Sequence, residues 1–103
     1  MSGSPPDRRK VSREDLRRLF NDGQYWQRAQ QGEFTIEIKR HMTPLPQAGE
    51  PAGTVSQIAV YRDASGRPVA LVHQYVRLDG SLGGAGRPHP KELLVGDELL
   101  YVS

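Results

Sequence analysis

Apolar residues return at two different periods along this chain, and the change of period divides it. Over residues 12–31 the spacing is helical. Leu16, Leu19 and Phe20 line one side, and Arg13, Arg17 and Arg18 fall largely on the other. Ser12 is placed to cap the helix N-terminus, with Asp15 three residues later as a weaker form of the capping-box acid. Asn21-Asp22-Gly23 reads as a stop, with Gly23 in the left-handed conformation. Residues 24–31 are helical again, with Tyr25, Trp26 and Ala29 on the buried side, and Gly32 ends the segment. This pattern fits one kinked helix or two helices joined by a tight turn.

From Glu33 the period is two. Phe34, Ile36 and Ile38 alternate with Thr35, Glu37 and Lys39, which predicts a half-buried strand. Residues 43–53 hold Pro44, Pro46, Gly49, Pro51 and Gly53 and read as an exposed, mobile loop. A second strand follows over 54–61. After a turn at Asp63-Ala64-Ser65-Gly66, Pro68 opens a third over 69–78. These two strands are close enough to pair as a hairpin. The third is apolar on both faces, with Val69, Leu71 and Tyr75 on one and Ala70, Val72, Val76 and Leu78 on the other, so it is expected at the centre of the sheet. Pro90 suits the first turn of a short helix over 91–94. Gly96-Asp97 then turns the chain into a last strand, 98–102.

The first ten residues have no apolar period, so residues 1–11 are expected to be a disordered arm. The rest, 12–103, is expected to be a single α+β domain: an N-terminal helix or helices packed on a mostly antiparallel sheet of about four strands. Its expected core is Leu16, Phe20, Trp26, Ile36, Ile38, Ile58, Val60, Leu71 and Val76. One sheet face is left open, with His73 and Arg77 on it.

Composition narrows the classes. The chain of 103 residues has room for one core, and 36% hydrophobic residues is low for a globular chain. Cysteine is absent, which excludes a disulfide framework and thiolate metal sites. No apolar run is long enough to span a bilayer and no secretory h-region is present, so a cytoplasmic protein is expected. The net charge of +2 is unevenly placed: residues 1–31 hold seven Lys/Arg against four Asp/Glu, and residues 32–103 hold seven against eight. A dedicated nucleic-acid binder carries a stronger basic stripe.

The densest chemistry lies in residues 79–91. Gly80, Gly83, Gly84 and Gly86 precede Arg87, His89 and Lys91. Glycines let backbone N–H groups converge on an anion, and nearby cations add charge. Gly83, Gly84, Gly86, Arg87, His89 and Lys91 are therefore the anion-binding candidates. The spacing matches neither the Walker nor the dinucleotide fingerprint, and a tight connection with positive-φ glycines is the preferred reading. His73 is a candidate general base, with Tyr75 and Arg77 beside it on the strand, although an ordinary half-exposed sheet histidine is the simpler reading. His41, His73 and His89 stand on three separate elements, so no metal and no cofactor is expected. Arg8, Arg9 and Lys10 with Arg13, Arg17 and Arg18 could track phosphates, but Asp7, Glu14 and Asp15 dilute them and a solvated face is preferred.

The pattern Asp79-Gly80-x-x-Gly83-x-x-Gly86-x-Pro88-x-Pro90-Lys91, followed by an aromatic at Tyr101, resembles the C-terminal signature of small uncharacterised bacterial proteins. The resemblance covers roughly the last third of the chain and implies a bacterial source and no activity. That pattern has an acid where this chain has His89. At the level of layout, helices followed by an antiparallel sheet is similar to RelE-like and other small toxin ribonucleases, which cut RNA with Arg, Lys, His and Tyr groups on the sheet. His73, Tyr75, Arg77, Arg87 and Lys91 are the matching residue types.

These observations lead first to a binding or interaction module that presents an open sheet face and the Gly-rich loop to an anionic or protein partner. A small ribonuclease-like enzyme, with His73 as base and Arg77, Arg87 and Lys91 around the phosphate, comes second. A subunit that only dimerises through the open face is the third possibility.

Overall fold

The computed structural model describes residues 6–44, 46–84 and 86–102. Six strands form one sheet: β1 (Asp7–Lys10), β2 (Thr35–Met42), β3 (Val55–Arg62), β4 (Pro68–Val76), β5 (His89–Val95) and β6 (Glu98–Tyr101). Two helices, α1 (Arg13–Asp22) and α2 (Tyr25–Gln30), lie between β1 and β2 in the chain. The order across the sheet is β1-β6-β5-β4-β3-β2. Strands β2 to β6 make an antiparallel meander, and β1 joins parallel to β6. Because β1 and β2 hold opposite edges, the helices that connect them must cross the sheet, and they cross on one face. This is the expected α+β class, with β4 central and paired to β3 as a hairpin.

The sheet has six strands where about four were expected, and the two additional strands are corrections. Asp7–Lys10, expected within a disordered arm, is a strand. It carries no apolar period because all four residues are exposed and it buries no side chain. Backbone pairing to β6 holds it, with the Asp7 amide donating to the Asp97 carbonyl (3.2 Å) and the Val11 amide to the Tyr101 carbonyl (2.9 Å). Arg8 also lies 5.1 Å over the Tyr101 ring. Residues 1–5 of the expected arm lie outside the described residues. The helix expected over 91–94 is instead part of β5. Pro90 sits beside a register shift, where Val72 faces Pro90 and Leu71 already faces Glu92, so its missing N–H disturbs no regular ladder. Leu93 and Leu94 then pair with Leu100 and Leu99 across the tight turn at Gly96, whose φ is 62°.

The core lies between the helices and one sheet face. Tyr61, Ala70, Leu93 and Leu100 face one another in a row across four strands. Ala59 and Val72 begin the next row. Leu16 and Phe20 of α1 press on these rows, and the small side chains of Ala59 and Ala70 leave depth for them. Of the expected core, Leu16, Phe20 and Val60 are buried, while Trp26, Ile58, Leu71 and Val76 are half-buried. Ile36 and Ile38 are corrections, at 47% and 38% exposed. They share the helix-side face with Tyr61 and Ala59, but β2 is the edge strand and the six-residue α2 does not cover it.

The helical segment is two helices. Gln24, not Gly23, takes the left-handed conformation, with φ of 55°, while Gly23 is right-handed. Gly23 is required for space instead: a Cβ there would stand 2.5 Å from the Tyr25 ring.

Candidate anion-binding site

The Gly-rich connection is built by local hydrogen bonds. Asp79 Oδ1 accepts from the Ser81 amide (2.9 Å) and hydroxyl (2.6 Å), which fixes the turn. The Arg77 amide donates to the Ser81 carbonyl and the Gly83 amide to the Tyr75 carbonyl, so the chain doubles back along the end of β4. The Gly84 amide donates to Glu50 Oε2 at 2.8 Å, and Arg77 Nε donates to Glu50 Oε1 at 3.0 Å. The loop therefore holds an anion, and that anion is a carboxylate of the same chain. The Glu50 side chain is only 5% exposed. The Arg77 hydrogen bond, and then the Gly84 amide, keep its carboxyl below the usual carboxylate range.

Glu50 was not anticipated. It is the one charged residue in 43–53, a stretch without period, and its carboxylate ties that loop to Arg77 and Gly84. A Cβ on Gly83 would land on the Glu50 carboxylate. Gly83→Ala is therefore expected to push that carboxylate off its Gly84 and Arg77 hydrogen bonds and to destabilise the fold by about 1–3 kcal/mol. That corresponds to a melting temperature lower by roughly 4–8 °C per kcal/mol. Gly86→Ala meets no such neighbour, although its φ of 80° strains any side chain. A Gly83→Ala melting temperature within 1 °C of the parent would show that Glu50 is not seated there.

The other candidates divide between two places. Arg77 is engaged by Glu50, and Arg87 Nη1 donates to Asn21 Oδ1 (3.2 Å) on the exposed surface. His41 stands on edge strand β2 beside Gln57. His73, Tyr75, His89 and Lys91 come together in a cleft of about 260 Å3 at the end of the sheet where β5 begins. Arg13 and Arg17 of α1 close one side of it, with Pro90 and Val102 as apolar walls. These two arginines belong to the basic run read above as a solvated face. Their i, i+4 spacing puts both on one helix face, but only the crossing of α1 over the sheet brings that face to His89.

His73 and His89 are directly opposite in the β4–β5 register. His73 Nε2 is 2.7 Å from Ser56 Oγ, and the His73 and Tyr75 rings meet edge to face at 4.8 Å. Burial lowers the pKa of His73, and the charge of Lys91 and then His89 lowers it further. Burial, Arg17 and Lys91 lower that of His89. Among the described residues no carboxylate lines the cleft. Among the described residues Arg13, Arg17 and Lys91 form no salt bridge, as is also true of Lys10, Arg40, Arg67 and Arg87, whereas Arg8, Arg9, Arg18, Arg28, Lys39, Arg62 and Arg77 each have an acidic partner.

Two larger hollows carry less chemistry. One, of about 350 Å3, is bordered by Tyr25, Arg28 and Glu33, and there Arg28 is already committed to Glu33 and stacks over Phe34. The other, of about 430 Å3, is an open groove bordered by Trp26, Ile36, Gln74 and Leu82. Among the described residues no three His, Cys, Asp or Glu side chains gather as a metal site requires, and no helix is long and apolar enough to cross a membrane. No family model, curated protein or solved structure matches the chain, so the site is read from its geometry alone.

Proposed function

We propose that this protein is an anion-binding module and that its site is the cleft between α1 and the β4–β5 ends. One observation carries the reading: among the described residues, three permanent cations without acidic partners converge on two histidines in a cleft that no carboxylate lines. Uncompensated cations repel one another, and a bound anion relieves that repulsion. The Gly-rich loop serves the module indirectly. It is occupied by Glu50 and shapes the wall beside His89, where a Cβ on Gly84 would lie 3.6 Å from His89 Nε2. The bacterial source implied by the C-terminal signature belongs to the same reading.

A ribonuclease-like enzyme is the second reading. It is favoured by one observation, that His73, Tyr75 and Lys91 share the cleft. Against it, Arg77 and Arg87 are engaged elsewhere and His73 Nε2 is held by Ser56. The two readings separate in two measurements. Sulfate added at low ionic strength is expected to shift the amide resonances of His89 and Lys91, and added NaCl is expected to weaken the effect. RNA incubated with the protein is expected to remain intact. Cleavage that His73→Ala abolishes without unfolding would establish the enzyme instead. No shift up to millimolar sulfate, a free-energy limit of about −4 kcal/mol, would remove the anion site.

A further inference from the structure

Building on that reading, we propose that the cleft recognises a terminal phosphomonoester in its dianionic form and discriminates against the singly charged phosphodiester. The charge count is the first argument. Arg13, Arg17 and Lys91 carry three fixed positive charges, and among the described residues no acid lines the cleft to offset them. A monoanion leaves two of these uncompensated in a partly desolvated space, whereas a dianion leaves one. A phosphomonoester has its second pKa near 6 and is largely dianionic at pH 7.5.

Hydrogen-bond chemistry is the second argument. The two guanidiniums and the ammonium are pure donors, and a guanidinium matches phosphate with paired N–H groups. Each neutral ring of His73 and His89 carries one N–H donor, and a protonated ring carries two. A set weighted toward donors suits a group whose three terminal oxygens all accept. A diester offers two such oxygens and two poorly accepting ester oxygens.

Size is the third. A cleft of about 260 Å3 lies below the usual range of roughly 300–1,000 Å3 for pockets that swallow a drug-sized ligand. It fits a head group, with the remainder of the ligand outside. Such a head group occurs on small phosphorylated metabolites and at the 5′ end of RNA.

The test uses methyl phosphate and dimethyl phosphate at pH 7.5 in low salt, followed by the ring resonances of His73 and His89. Methyl phosphate is expected to bind at least tenfold more tightly. Arg17→Gln and Lys91→Met are each expected to weaken it severalfold with the fold intact. Arg67→Gln, outside the cleft, is expected to leave it unchanged. A 5′-phosphorylated tetranucleotide that binds no tighter than methyl phosphate assigns the head group to a small molecule. Tighter binding of that tetranucleotide, lost with its 5′-phosphate, assigns the group to an RNA end, and either result supports a terminal phosphate. Equal affinity for the two methyl esters overturns the discrimination and leaves the anion site standing. Perturbation by neither overturns both, and so does full affinity in Arg17→Gln and Lys91→Met.

Discussion

Replacing Phe20 by alanine is expected to cost about 3–5 kcal/mol of stability. Phe20 is 1% exposed, and it stands where the helical layer meets the sheet. Its ring stacks on Tyr25 at 5.7 Å with 12° between the planes, and packs on Tyr61 at 6.3 Å. Tyr25 and Tyr61 each pack in turn against Phe34, so the deletion opens the middle of an aromatic cluster that also ties α2 to β3. The helices are short, ten and six residues, and cannot hold themselves in water without this packing. Domains of this size are stable by about 5–15 kcal/mol, so the loss is a large fraction of the whole. Urea denaturation of the parent, Phe20→Leu and Phe20→Ala checks it. Phe20→Leu should keep most of the stability because it leaves a smaller cavity. A Phe20→Ala loss below about 1 kcal/mol would mean that the helices do not rest on the sheet through this residue.

Legibility in the sequence followed burial. Where side chains enter the core, the pattern was readable: α1 from Leu16 and Phe20, and the β3–β4 hairpin from its alternation and the turn at Asp63–Gly66. Where an element is held by backbone pairing or by one side chain, the pattern carried no signal. Strand β1 is four exposed polar residues held by the free edge of β6, so nothing in their order distinguishes them from an arm. In β5 the proline was visible, but the register shift that accommodates it depends on β4. Ile36 and Ile38 show the opposite case. Their alternation correctly marks a strand, yet alternation states which residues share a face and not whether anything covers it.

The site divides in the same way. His73, Tyr75, His89 and Lys91 were legible as residue types on or beside β4, and the strand register brings the two histidines opposite each other. Arg77 and Arg87 were equally attractive by type, but each found a partner that sequence spacing does not encode, Glu50 and Asn21. The arginines that do reach the cleft are set there by the path of α1 across the sheet. A long-range topological fact thus decides which cations reach the cleft.

The histidine pair makes stability depend on pH, and the cleft's ligand should modulate that dependence. Both histidines have pKa values lowered by folding, so the folded protein binds fewer protons there than the unfolded chain. Their contribution is complete above the ordinary histidine value of 6.5. It is lost as the pH falls from there through the folded values. Among the described residues the groups facing them are Ser56 from β3, Tyr75 on β4, Lys91 on β5 and Arg13 and Arg17 from α1, and none of these is an acid that could repay protonation. The carboxylates Glu33, Glu37, Glu50, Asp63 and Asp79 are also lowered, but their ordinary values are 4.5 and 3.8, so their loss begins further into acid. Urea midpoints measured from pH 7.5 to 5 in chloride should therefore fall first below pH 6.5. His73→Gln combined with His89→Gln should remove that first decline. Sulfate stays dianionic throughout, so it should stabilise more at pH 5.5 than at pH 7.5, because protonated histidines add to the cations already present. At a hundred times its dissociation constant the gain is about 2.7 kcal/mol. A flat profile between pH 7.5 and 5 would rule out histidines held neutral by their surroundings. A sulfate effect that does not grow as the pH falls would place the anion away from them.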